Sequence, residues 1–112
     1  SKTLNKAQFG GSIFAMTDPV YAAILSVALG RGYSVWDQSA TIRFLRPGRG
    51  RLSARFSVTA NEVQALRDGL SEGDSTIWQR DVEVLDVSGS VVARVERSVH
   101  IRKLRNSRPN RE

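Results

Sequence analysis

The stretch FGGSIFAMTDPVYAAILSVAL, residues 9–29, decides how this chain folds. Ile13, Phe14, Met16, Val20, Ile24, Leu25, Val27 and Leu29 distribute apolar side chains around most of a helical period. A helix apolar on most sides is enclosed by other protein rather than laid on a surface. The pattern predicts a buried helix over residues 12–29, ended by Gly30 and Gly32, since glycine accepts a left-handed backbone at a helix end. One carboxylate, Asp18, interrupts the run directly before Pro19. Asp-Pro reads as a helix start, an acid capping free N–H groups followed by proline at the first helical position. That would split the run into a turn over 11–17 and a helix from Pro19. The other reading is a carboxylate in a desolvated cleft, where burial raises its proton affinity enough to serve as a base.

Beyond the glycines the period changes to two. Ala40, Ile42 and Phe44 alternate with Ser39, Thr41, Arg43 and Leu45, which predicts a strand. The turn RPGRG, residues 46–50, leads into Leu52, Ala54, Phe56 and Val58 alternating with Arg51, Ser53, Arg55 and Ser57, a strand with one wet face. Residues 59–70 predict a short surface helix, with Thr59 and Glu62 at capping-box spacing. Strands resume at Ile77–Val87 and, after Ser88-Gly89-Ser90, at Val91–Leu104. In the last strand Val91, Ala93, Val95, Val99 and Ile101 share a face that Arg97 interrupts, while His100 falls on the polar face. The first eight residues read as polar and irregular. Strands joined by short links predict antiparallel hairpins. Four strands with one apolar face need a cover, and the apolar helix supplies it. The expectation is an α+β fold, a curved antiparallel sheet around one long central helix.

The 112 residues suit one domain, set at 1–104, with a basic tail over 105–112 expected to be disordered. No cysteine is present, so disulfides, thiolate metal sites and a cysteine nucleophile are excluded. A single histidine excludes a multi-histidine metal site within one chain. No cofactor is expected. The run 13–29 falls short of a membrane span and contains Asp18 and Pro19, so no membrane partner is expected and the compartment is expected to be cytoplasmic. The net charge is +6, concentrated in Arg43, Arg46, Arg49, Arg51 and Arg55 and again from Arg94 onward. Such a field attracts polyanions, either nucleic acid or a phosphorylated ligand. Nucleic acid is disfavoured, because no binding motif or aromatic stacking series accompanies the charge.

FGGSIFAMTDP followed by VWDQSATIRFLRPGRG resembles the hotdog-fold thioesterase superfamily, in an uncharacterised branch near the phenylacetate-pathway thioesterase-like proteins. The likeness covers about residues 5–104. It implies a homodimer or tetramer with sheets joined side by side. It also implies hydrolysis of an acyl-coenzyme A thioester by water attack, in a site between subunits. By the same resemblance Asp18 is the catalytic carboxylate that orients or activates water, Gly10 and Gly11 form the substrate clamp, and Asn5 stands for the family asparagine. Phe9 occupies the family's histidine position, a departure that removes a polarising side chain. Arg46 and Arg49, at a turn, are candidates for the coenzyme phosphates. Such folds begin with a strand before the helix, and this one reads as missing its first strand. The Phe9 departure and the capping role of Asp18 leave a second reading open, a non-catalytic acyl-binding or structural module.

Overall fold

The structure, a computed structural model, describes residues 3–11, as backbone, and residues 19–105. The elements are β1 (Thr3–Gly11), α1 (Val20–Leu29), β2 (Tyr33–Phe44), β3 (Leu52–Thr59), α2 (Ala60–Gly69), β4 (Ser75–Leu85) and β5 (Val91–Lys103). The strands form one curved antiparallel sheet in the order β1-β3-β4-β5-β2, with α1 across it, which is the hotdog architecture.

Two expectations need correction. The first strand is not missing: Thr3–Gly11 pairs antiparallel with β3, from Thr3 opposite Thr59 to Gly11 opposite Leu52. Its pattern is weak because an edge strand carries polar and lysine residues without penalty, and the neighbouring strand supplies its order. Gly10 and Gly11 therefore end a strand, opposite Ser53 and Leu52, rather than open a helix. The central helix is ten described residues long, starting behind Pro19 in the cap position. It exposes Ala23, Ser26 and Val27 on its outward side. Residues 12–18 lie outside the described residues.

The link from β2 to β3 is also not a hairpin. The two strands are three strand positions apart, separated by β5 and β4. That is roughly 14 Å at the usual strand spacing, within the reach of residues 45–51 when extended. The crossing chain is fastened along the β4–β5 turn. Leu45 N donates to Val92 O (2.9 Å), Val87 N donates to Arg49 O (3.2 Å), and Gly50 adopts φ +70° where it passes Val87.

The alternations in β3 and β5 hold. Ala54, Phe56 and Val58 face α1 with Val95, Val99 and Ile101, and Leu25 of α1 is fully enclosed among them. Truncating such a side chain to alanine costs about 2–5 kcal/mol. The capping box forms as spaced: Glu62 N donates to Thr59 Oγ1 (3.1 Å) and Thr59 N donates to Glu62 Oε1 (2.8 Å).

Candidate functional site

Tyr21, in the first turn of α1, stands over two aromatic rings and the Arg80 guanidinium on the inner face of the sheet. Tyr21 packs edge-on against Phe56, ring centroids 5.3 Å apart, and against Trp78 at 5.0 Å. Arg97 lies 5.8 Å from the centre of the same Phe56 ring and is only 1% exposed. It sits opposite Arg80 in β4 and opposite Ala40 in β2. The interruption that Arg97 makes in the β5 alternation is therefore real, and a guanidinium enters the core there. A buried charge demands a partner or a compensating field.

Arg80 is served by Glu62, with which it forms an ion pair, and by Ser57 O, to which its Nη1 donates at 3.0 Å. It also stacks over Trp78 at 4.5 Å. Ser57 N donates to the Tyr21 hydroxyl at 3.4 Å. Both backbone groups of Ser57 are thus met by side chains rather than by β4, and β3 pairs with β4 at Ser53 opposite Leu85 and Ala54 opposite Val84. A cleft of about 600 Å³ opens at this split, lined among others by Tyr21, Arg55, Arg80, Asp81, Glu83 and Arg94. Its lining carries both charge signs, and Arg94 is paired with Glu83 at 3.1 Å.

At the β2 edge of the sheet lies Asp37. This residue lies opposite Val99, which is wholly buried, so it shares the α1-facing side of β2. The register shifts between Asp37 and Ser39. Such bulges bend a strand and re-aim side chains. Asp37 Oδ1 is buried and has no hydrogen-bond partner among the described residues. From β2 to α2 the charged residues are therefore Asp37, Arg97, Arg80 and Glu62, of which Arg80 and Glu62 are paired and Arg97 alone is fully buried.

The sequence-derived candidates divide. Asp18 lies outside the described residues. Asn5, Phe9, Gly10 and Gly11 are placed as backbone in β1, and Gly11, opposite Leu52, is at the sheet end that carries the 45–51 crossing. Arg46 and Arg49 are at that same end. The Arg46 Nη1 donates to Val91 O, while the Arg49 backbone N donates to Asp86 Oδ2 at 3.1 Å. Arg49 keeps an exposed side chain. His100 is on the outer face, stacked on Trp36 with centroids 4.0 Å apart. Among the described residues no group of three or more acids or histidines could hold a metal, and no helix is long and apolar enough to cross a membrane.

Sequence reasoning passed over three residues. Arg97 carried a signal, the break in an apolar face. Asp37 carried a weak one, the period-two run Tyr33, Val35, Asp37, which the opposite phase of Ala40, Ile42 and Phe44 beyond the register shift obscures. Asp86 is the third. It accepts from Ser88 Oγ (2.6 Å), Ser88 N (2.9 Å), Ser90 N (3.2 Å) and Arg49 N (3.1 Å), so it ties the β4–β5 turn to the crossing chain. Donation by the Ser88 hydroxyl, opposed by burial and aided by the three amides, holds its carboxyl down at about 2.

The sequence matches one domain family from residue 3 to residue 101, most of its length. The chain belongs to the family described as domain of unknown function DUF4442. No curated protein matches this DUF4442 chain. Among solved structures it is similar to a Pseudomonas aeruginosa protein of unknown function described as a probable thioesterase, with a TM-score of 0.52 and 20% identity. That match takes in 63% of this chain and 48% of the Pseudomonas chain, so the DUF4442 domain spans about half of that relative. It bears on the fold alone. S. sahachiroi AziG superposes with a TM-score of 0.49 at 20% identity, over 92% of this chain and 91% of its own.

Proposed function

We propose that this DUF4442 domain hydrolyses an acyl-coenzyme A thioester by direct water attack, in a site at the start of α1 completed by a second copy along the open β2 edge. The observation that supports this reading best is Arg97, a guanidinium only 1% exposed that packs near Phe56 under α1 in a hotdog fold whose sheet face is otherwise mostly apolar. Charged groups kept inside an apolar face despite their desolvation cost concentrate where chemistry occurs.

In this reading Asp18 accepts a proton from water as the water oxygen bonds to the thioester carbonyl carbon. The N–H groups at the start of α1 and the backbone of Gly10 and Gly11 take up the charge on the carbonyl oxygen. Among the described residues no side chain caps the start of α1. The C–S bond then breaks, and the leaving thiolate takes the proton back from the carboxyl group. The products are the free acid and coenzyme A. Asn5 and Phe9 border the acyl group from β1. Arg49, with its side chain free in solvent, receives the coenzyme phosphates; Arg46 joins it only by giving up its bond to Val91 O.

A non-catalytic acyl-binding module is favoured by Phe9, which replaces a polarising imidazole with a ring that can only pack. Steady-state hydrolysis across short, medium and aryl acyl-coenzyme A thioesters separates the two readings, with calorimetric binding of a non-hydrolysable thioether analogue alongside. Turnover that falls at least 100-fold in Asp18→Asn is expected. Tight binding of the analogue with no turnover on any thioester would leave the binding module standing and remove the hydrolase.

A further inference from the structure

We infer that the end of the sheet where β2 stops and β3 starts is a tip that docks on an anionic lipid surface, a role that does not depend on the hydrolase reading. Four strand ends meet there: Phe44 closes β2, Leu52 opens β3, Leu85 closes β4 and Val91 opens β5. Arg43, Arg46, Arg49, Arg51 and Arg55 are all exposed in or beside the crossing chain, and residues 43–55 contain no acid. Two acids at the β4 end are already engaged. Asp86 is buried and bonded to the turn and the crossing chain, and Glu83 is paired with Arg94. The opposite end of the sheet lacks this bias, since Asp74 and Lys103 stand together there, joined through their backbones.

Apolar groups share the tip. Val87 is 68% exposed, Phe44 62% and Leu45 41%. A hollow of about 410 Å³ is lined by Phe44, Leu45, Pro47, Leu52 and Val92 among others. The backbone runs close along it: a Cβ on Gly48 would come within 2.8 Å of Leu52 Cδ2. The crossing chain is fastened to the β4–β5 turn, so these side chains are displayed on a fixed frame. A nucleic acid strand is held by aromatic stacking as well as charge, and Leu45 and Val87 cannot stack. A second copy seated tip to tip would set five arginines against five. One joined along β2 meets the side of that strand, whereas Leu45 and Val87 belong to the loops beyond the strand ends. An anionic bilayer answers both halves of the tip. Its headgroups take the guanidinium groups, and the apolar side chains enter the boundary between headgroups and acyl chains. This reverses the expectation of no membrane partner, which rested on the spanning length of residues 13–29; a tip resting on headgroups needs no spanning run.

The test is co-sedimentation of the full chain with vesicles of phosphatidylcholine alone and of phosphatidylcholine doped with phosphatidylglycerol. Binding at least about tenfold stronger to the doped vesicles is expected, and it should weaken as salt is raised. Arg51→Gln should weaken it about fivefold and Val87→Ser about three- to tenfold, with Leu45→Ser as a second apolar variant and matched melting curves for all. Val27→Ser, at an 83% exposed position on α1, should leave binding unchanged. Equal binding to the two vesicle types, or none, overturns the inference. So do full binding by both Arg51→Gln and Val87→Ser, and an equal loss in Val27→Ser. Preference for DNA over the doped vesicles would make the tip a nucleic-acid surface instead. A lower mass for Val87→Ser in sedimentation velocity would make it an interface between copies, and either result removes the lipid assignment.

Discussion

At Asp86 a single carboxylate gathers four donors from two separate loops, and the result is a titration that folding depends on. Its folded-state value of about 2 lies below the ordinary 3.8, so the unfolded chain takes up the proton more readily. Stability from this group is complete above about pH 4 and disappears as pH falls toward 2. The stability difference between wild type and Asp86→Asn, followed by urea unfolding, should stay level from pH 7 to about 5 and narrow below about 4. A gap unchanged down to pH 2 would mean that the carboxylate charge is not what holds the crossing chain. This residue was not legible in the sequence. DVSGS announces a turn, but nothing local says that Arg49, 37 positions away, supplies a donor. Arg97 was half legible: its place on the apolar face could be read, while its enclosure against Phe56 depends on α1 covering β3.

Among the elements, α1 depends on a residue from α2. Arg67 Nη2 donates to Ala28 O and Leu29 O, each at 3.0 Å, and so satisfies carbonyls that the helix end leaves open. A cation there also complements the helix dipole. Arg67→Ala should cost about 1–2 kcal/mol in chemical denaturation, while the exposed neighbour Asp68→Ala should change little beyond its bond with Gln64. Equal losses at both positions would contradict the capping role. Local patterns found the elements that own their signals: the capping box of α2, the alternation in β3 and the glycine-bounded end of α1. They missed β1, whose order comes from β3, and they read the link 45–51 as a hairpin. RPGRG has turn chemistry, but a turn does not state which strand receives the chain. That choice is settled when β5 takes β2 along eleven residue pairs from Tyr33 to Phe44.

For the whole molecule, the sheet has edges at β1 and β2, and Trp36, Phe44 and Leu45 are exposed along or just beyond β2. An open edge next to exposed apolar side chains invites a second copy. Sedimentation velocity at micromolar concentration should give the mass of two or four chains; a single-chain mass throughout would remove a site shared between copies. The whole proposal turns on a carboxylate directing water at a thioester within this fold. The most direct measurement is kcat for acyl-coenzyme A hydrolysis by wild type and by Asp18→Asn, at one pH and with matched unfolding curves. A drop of at least 100-fold in a variant that remains folded is the expected result. Equal turnover by the two proteins would contradict it.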